Sequence, residues 1–215
     1  SIISDARDAG LVDWDAIEDR GRLPFLPSAW SSPSDILRAS ASQFRVERWE
    51  DQPNYVEVMV EKDALSGILR PVCSNLHVRR TANKGYSSST AVYDAAQRYY
   101  EQYNDDKELH LIYLGDHDPS GLDMTRDIRE RLDQYGEGIN INVIRLALNM
   151  DQVETWNPPP NPAKETDSRF AAYRDEHGDE SWELDAVDPA ALATLVEDSI
   201  KALIDDDIWD RIATK

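Results

Sequence analysis

The sequence predicts an α/β fold: a parallel sheet of four strands flanked by helices, preceded by a helical segment and followed by a helical extension. Three observations carry that expectation. Between Tyr55 and Leu146, apolar runs of strand length alternate with stretches at helical spacing, and repeated strand–helix order implies parallel pairing through right-handed crossovers. Leu111-Ile-Tyr-Leu114 reads as a buried strand that runs out into a loop, with Pro119, Ser120 and Gly121 ahead of a helical pattern. Prolines and glycines punctuate the ends of these segments.

Residues 1–53 read as a helical and linker segment. A first helix breaks at Gly10, and a second helical turn places Trp14 and Ile17 on one face. Pro24, Pro27 and Pro33 then force a loop. Ser34 and Asp35 are placed to cap a short helix through about Phe44, with Ile36, Leu37 and Ala41 apolar, and Trp49 to Pro53 forms a junction. The stretch resembles the tail of a winged-helix or other helical unit, and with no initiator Met the chain is expected to be a fragment.

Residues 54–150 form the central domain. The expected strands are Tyr55 to Val60, Leu76 to Arg79, Leu109 to Leu114 and Ile141 to Leu146. Between them fall a short helix from Ala64 to Leu69 stopped by Pro71, a turn from Gly85 to Thr90 leading into a helix to Tyr103, and a helix from Leu122 to about Tyr135 ended by Gly136 and Gly138. Residues 151–215 are a proline-rich arm, Trp156 to Pro162, and an acidic helical extension. A short helix is expected over Ser168 to Asp175, and a longer one from Asp188-Pro189 with Leu192, Leu195, Val196 and Ile200 at helical spacing.

Composition narrows the function classes. No apolar run reaches the length of a membrane span, and the first residues lack a basic start and an apolar signal core. Cys73 is the one cysteine, so no internal disulfide forms and a reducing, cytoplasmic setting is expected. The net charge of -19, from 42 acids against 23 bases, argues against general nucleic-acid affinity, which comes from Lys and Arg at phosphates. DNA contact would need bound metal and a local basic patch. Arg79, Arg80, Lys84 and Arg98 against Asp94 supply such a patch between Leu76 and Tyr100.

Chemistry concentrates at Asp116 and Asp118. On an extended backbone residues i and i+2 point the same way, and Mg²⁺ is usually held by one or two carboxylates together with substrate phosphates. Glu61, at the end of the Tyr55 to Val60 strand, is the candidate third acid, provided the two strands are neighbours, because ligands collect beyond the carboxyl ends of parallel strands. Lys62 is suited either to a phosphate or to a salt bridge. His117 should face away from the two carboxylates and reads as structural; Asp123 and Asp127 suit a helix N-terminus. His110 and His177 carry no supporting pattern, and Lys164, Asp167, Glu183 and Asp185 are given no chemical role.

These residues bring a family into view. VEKDAL at 60–65, KGYSS at 84–88 and GDHDPSGLDM at 115–124 resemble the Toprim part of the type IIB DNA topoisomerase A subunit and its meiotic double-strand-break relatives. The resemblance covers roughly residues 54–150 and, weakly, the segment from Trp182 to Leu195. It implies Mg²⁺, or Mn²⁺ in its place, on Glu61, Asp116 and Asp118, with Glu61 as general acid/base or first ligand. It also implies Lys62, Arg79, Arg80 and Lys84 toward DNA, a homodimer, and an ATPase partner subunit. The family's nucleophile is a Tyr on a winged-helix domain ahead of Toprim, which this chain begins too late to include. A Toprim nuclease using activated water and a non-catalytic DNA- or protein-binding module remain open.

Overall fold

The computed structural model describes residues 6, 9–12, 29–82 and 89–213. The Trp14/Ile17 turn, Lys84 and the Gly85-Tyr86-Ser87 loop lie outside the described residues. The chain divides into two compact units, Ser1–Arg45 and Val46–Lys215. In the first, Pro33–Gln43 forms helix α1; Ser32 caps it by accepting the Asp35 amide, and no residue of this helix is buried.

The second unit is an α/β structure. Its strands are β1 (Asn54–Val60), β2 (Arg79–Ala82), β3 (Glu108–Leu114) and β4 (Ile141–Ala147). They form one all-parallel sheet in the order β2-β1-β3-β4. The connections are α2 (Asp63–Asn75), α3 (Ser89–Tyr103) and α4 (Pro119–Tyr135). β1 and β3 are central, and their buried runs show why they read as apolar blocks: both faces are covered. On one face Met59, Val92, Tyr99, Leu111, Ile128 and Leu132 pack together; on the other, Val58, Val60, Leu69, Ile112 and Leu114 meet Leu184, Leu192, Val196 and Ile200.

That second face corrects the picture of an appended C-terminal extension, because the segment packs into the sheet's own core. After β4 the chain forms α5 (Met150–Trp156), β5 (Asn161–Pro162), α6 (Phe170–His177) and β6 (Glu180–Ser181), then a single 3-10 turn at Leu184–Ala186. The end of the proline-rich arm is tied down where β5 pairs antiparallel with β6. Helices α7 (Pro189–Lys201), capped by Asp188, and α8 (Asp206–Ala213) complete the unit.

The boundaries around Pro71 differ from expectation for a physical reason. Pro71 does not end α2, which runs to Asn75. A proline inside a helix forfeits one backbone bond, here to Gly67, and crowds the preceding turn, yet Leu69, Val72 and Cys73 are all buried on the sheet and their burial outweighs that loss. Because α2 is longer, β2 begins three residues later than expected, at Arg79.

Leu192 is 1% exposed beneath the sheet. Leu192→Ala should lower the unfolding free energy by about 2–5 kcal/mol in a urea titration, whereas a change near zero would mean that α7 is a dispensable tail.

A carboxylate site at the carboxyl edge of the sheet

The register of β1 on β3 places the candidate acids. Val60 pairs with Leu114, the last residues of their strands, so Glu61 and Gly115 leave the sheet side by side. The Glu61 amide donates to the Leu114 carbonyl at 2.8 Å, and Gly115 exchanges bonds with the β4 end through the Ala147 carbonyl and the Leu148 amide, both at 2.8 Å. The strand adjacency that the carboxylate site requires is therefore present.

Each of the three carboxylates is held through one oxygen by a backbone amide. Glu61 Oε2 accepts from the Asp116 amide at 2.9 Å. Asp116 Oδ1 accepts from the Leu184 amide at 2.7 Å. Asp118 Oδ1 accepts from the Gly121 amide at 2.5 Å, making Asp118 the N-cap of α4. Asp116 and Asp118 thus follow the end of β3, with His117 in a β-bridge to Trp182 and Asp118 in extended backbone at the helix start. Among the described residues, no donor meets the second oxygens of Glu61 and Asp118, while Asp116 Oδ2 lies 3.2 Å from Lys62 Nζ.

Close crowding makes glycine necessary at two points. A Cβ on Gly115 would stand 2.7 Å from both Glu61 Oε2 and the Tyr113 hydroxyl, and one on Gly121 would stand 2.2 Å from the Asp116 carbonyl. The Tyr113 side chain is fully buried, and its hydroxyl meets the Met124 sulfur at 3.8 Å. Arg145 on β4 ties the loop down: its Nη2 donates to the carbonyls of Gly115, Asp116 and Leu148, and its Nη1 to Gly121 and Thr125.

The C-terminal segment completes the site. Trp182 exchanges two backbone bonds with His117, and buried Tyr173 donates to the His117 carbonyl at 3.0 Å. His117 is the structural histidine that the alternation suggested: burial, then His177 and Arg145, lowers its pKa to about 4 and keeps it neutral. Glu183 and Asp185 both pair with Lys62, the latter at 3.0 Å.

Burial, then repulsion from Asp116, raises the Glu61 carboxyl to about 7; Asp118 adds to this, while the Asp116 amide and Lys62 oppose it. Burial likewise raises Asp116 to about 6, with Glu183 adding and the Leu184 amide and Lys62 opposing. Burial works against the Lys62 ammonium, but its bonds to Glu183 and Asp185 and the Asp116 charge outweigh that and raise its pKa.

Lys62 is thus committed to carboxylates in this structure. Arg79 and Arg80 stand on β2, where Arg79 lies 3.6 Å from buried Glu57 and Arg80 bonds the Ser66 hydroxyl. Arg98 makes a bidentate pair with Glu57, so part of the basic segment serves the interior. Sequence reasoning passed over Gly115, Arg145, Glu183 and Asp185. The one available signal was the alternation Glu183-Leu-Asp185, which puts two acids on one side of an extended segment.

Among the described residues, no three Asp, Glu, His or Cys side chains stand ready to hold a metal ion. The donors present are carboxylate oxygens, the kind a hard cation takes. Three carboxylates are fixed through one oxygen each, the bare Cα of Gly115 leaves room for Glu61, and two of the acids are raised chiefly by burial, a cost that nearby positive charge would offset. No helix among the described residues is long and apolar enough to cross a membrane. Compared with known proteins, the chain matches no family model, no curated protein and no solved structure.

A carboxyl raised on folding contributes stability that is fully present below its unfolded pKa and lost as pH rises through its folded one. For Glu61 that loss begins near the ordinary carboxyl value of 4.5 and is complete just above pH 7. In metal-free protein, Glu61→Gln should therefore raise the melting temperature by roughly a few degrees at pH 8, with the gain shrinking toward pH 5. A gain independent of pH would contradict the burial of this charge.

Proposed function

We propose that this chain is the Mg²⁺-binding, Toprim-like portion of a DNA strand-cleaving enzyme of the type IIB topoisomerase A-subunit kind. The observation that supports it most is that Glu61 leaves β1 beside the end of β3 and accepts the Asp116 amide, so two of the three acids meet beyond the carboxyl ends of adjacent parallel strands, with Asp118 capping the helix that follows. A divalent cation bound there would neutralise charge on the scissile phosphate and on the departing sugar oxygen.

The chain's own residues do the rest. Asp116 and Asp118 present oxygens whose orientation is fixed by the Leu184 and Gly121 amides, so the site is organised before DNA arrives. Glu61, raised to about 7, is suited to receive the proton of an attacking hydroxyl through the oxygen that the Asp116 amide does not occupy. That hydroxyl oxygen bonds to phosphorus as the bond from phosphorus to the sugar oxygen breaks. In this reading the hydroxyl is a tyrosine outside the described Toprim unit, and a second copy and an ATPase subunit are its partners.

The same property of Glu61 favours a second reading, a nuclease in which the attacking hydroxyl belongs to water. The products separate the two: free 5′-phosphate ends for the nuclease, a protein-linked end for the topoisomerase.

Asp116→Asn and Asp118→Asn should each weaken Mg²⁺ binding in calorimetry by about tenfold or more while the fold persists by circular dichroism; unchanged affinity would remove the metal assignment. With supercoiled plasmid and Mg²⁺ or Mn²⁺, the topoisomerase reading expects this chain alone to leave DNA intact. Glu61-dependent cleavage giving free ends would replace that reading with the nuclease.

A further inference from the structure

Lys62 has a place that the metal reading alone does not explain. Of the three oxygens left over by the backbone amides, those of Glu61 and Asp118 meet no donor among the described residues, and Asp116 Oδ2 carries the Lys62 ammonium at 3.2 Å. Glu183 and Asp185 hold the same ammonium from the other side. Lys62 is the N-cap residue of α2, directly after Glu61, so its backbone is fixed at the rim of the site while its four-carbon stem remains able to swing. Its side chain is only 24% exposed.

We propose that Lys62 is an internal competitor for the cation: its ammonium occupies Asp116 Oδ2, and a divalent ion binds by displacing it onto Glu183 and Asp185, which keep it beside the site. The inference rests on the metal reading above. Its physical basis is charge. An ammonium and a divalent ion cannot share one carboxylate oxygen at contact distance without strong repulsion in a half-buried setting. The two flanking acids give the displaced ammonium partners, so it need not leave for solvent. The resting site is thereby kept at low affinity, and a metal is retained when phosphate oxygens complete its shell. Glu183 and Asp185 then have a role as the holding station for Lys62.

The test is calorimetry of the full chain with MnCl₂ and MgCl₂, comparing wild type, Lys62→Met and Lys62→Arg, with melting by circular dichroism to verify folding. Lys62→Met should bind about tenfold tighter or more than wild type, and Lys62→Arg no tighter. A folded Lys62→Met that binds equally or more weakly overturns the inference, because a merely structural salt bridge would scatter the acids when removed. A second measurement needs no substitution that could disturb folding. After reductive ¹³C-methylation of the wild-type lysines, the Lys62 resonance, identified by its loss in Lys62→Arg, should move on Mg²⁺ addition. A fixed resonance while calorimetry records binding overturns the displacement. If neither wild type nor Lys62→Met binds either ion, the metal reading fails and takes this inference with it; if wild type binds and Lys62→Met binds no tighter, only this inference fails.

Discussion

A short chain of hydrogen bonds governs the carboxyl edge of the sheet: Glu61 accepts the Asp116 amide, and Asp116 accepts the Leu184 amide. Each link joins a segment distant in sequence from the next, so the end of β1, the loop after β3 and the C-terminal segment share one constraint. A buried carboxylate without donors would cost several kcal/mol. The bonds to amides limit that cost and fix where the remaining oxygens point. Arg145 reinforces the arrangement by collecting the loop's carbonyls, so the charges and the backbone of the loop are held by different partners.

The same constraint accounts for the incorporation of the C-terminal segment. The bridge between His117 and Trp182 and the bond from the Leu184 amide bring the acids at 183 and 185 to the site, while Leu184 and Leu192 close the core beneath it. Local charge follows from this assembly. Three carboxylates surround one ammonium at the edge of a chain that carries -19 overall, and burial raises one of them, Asp116, together with neighbouring Glu61. Such a site favours a cation far more than it favours a bare phosphate, so any approach of DNA depends on positive charge supplied there.

Much of the fold was legible because strands covered on both faces are apolar at most positions. β1 and β3 stand out as runs for that reason, and the helices follow from apolar spacing and, at the C-terminal one, from Asp188-Pro189. The sequence also marked Glu61, Asp116 and Asp118 by residue type at strand ends. Pro71 misled because local propensity was overridden by burial of Leu69, Val72 and Cys73, a balance visible only once the sheet is in place. Leu184 and Trp182 act through backbone groups, which leave no signature in residue type. Arg145 could not be distinguished from any other arginine on a strand. Glu183 and Asp185 looked like solvated acids because the ammonium they hold lies 121 and 123 residues away.

The most direct measurement of the central claim is an anomalous difference map from crystals of this chain grown with Mn²⁺. The account predicts one strong peak at the ends of β1 and β3, within coordination distance of the Asp116 and Asp118 carboxylates and beside Glu61. Density elsewhere, or none there at Mn²⁺ concentrations that saturate binding in solution, would contradict it.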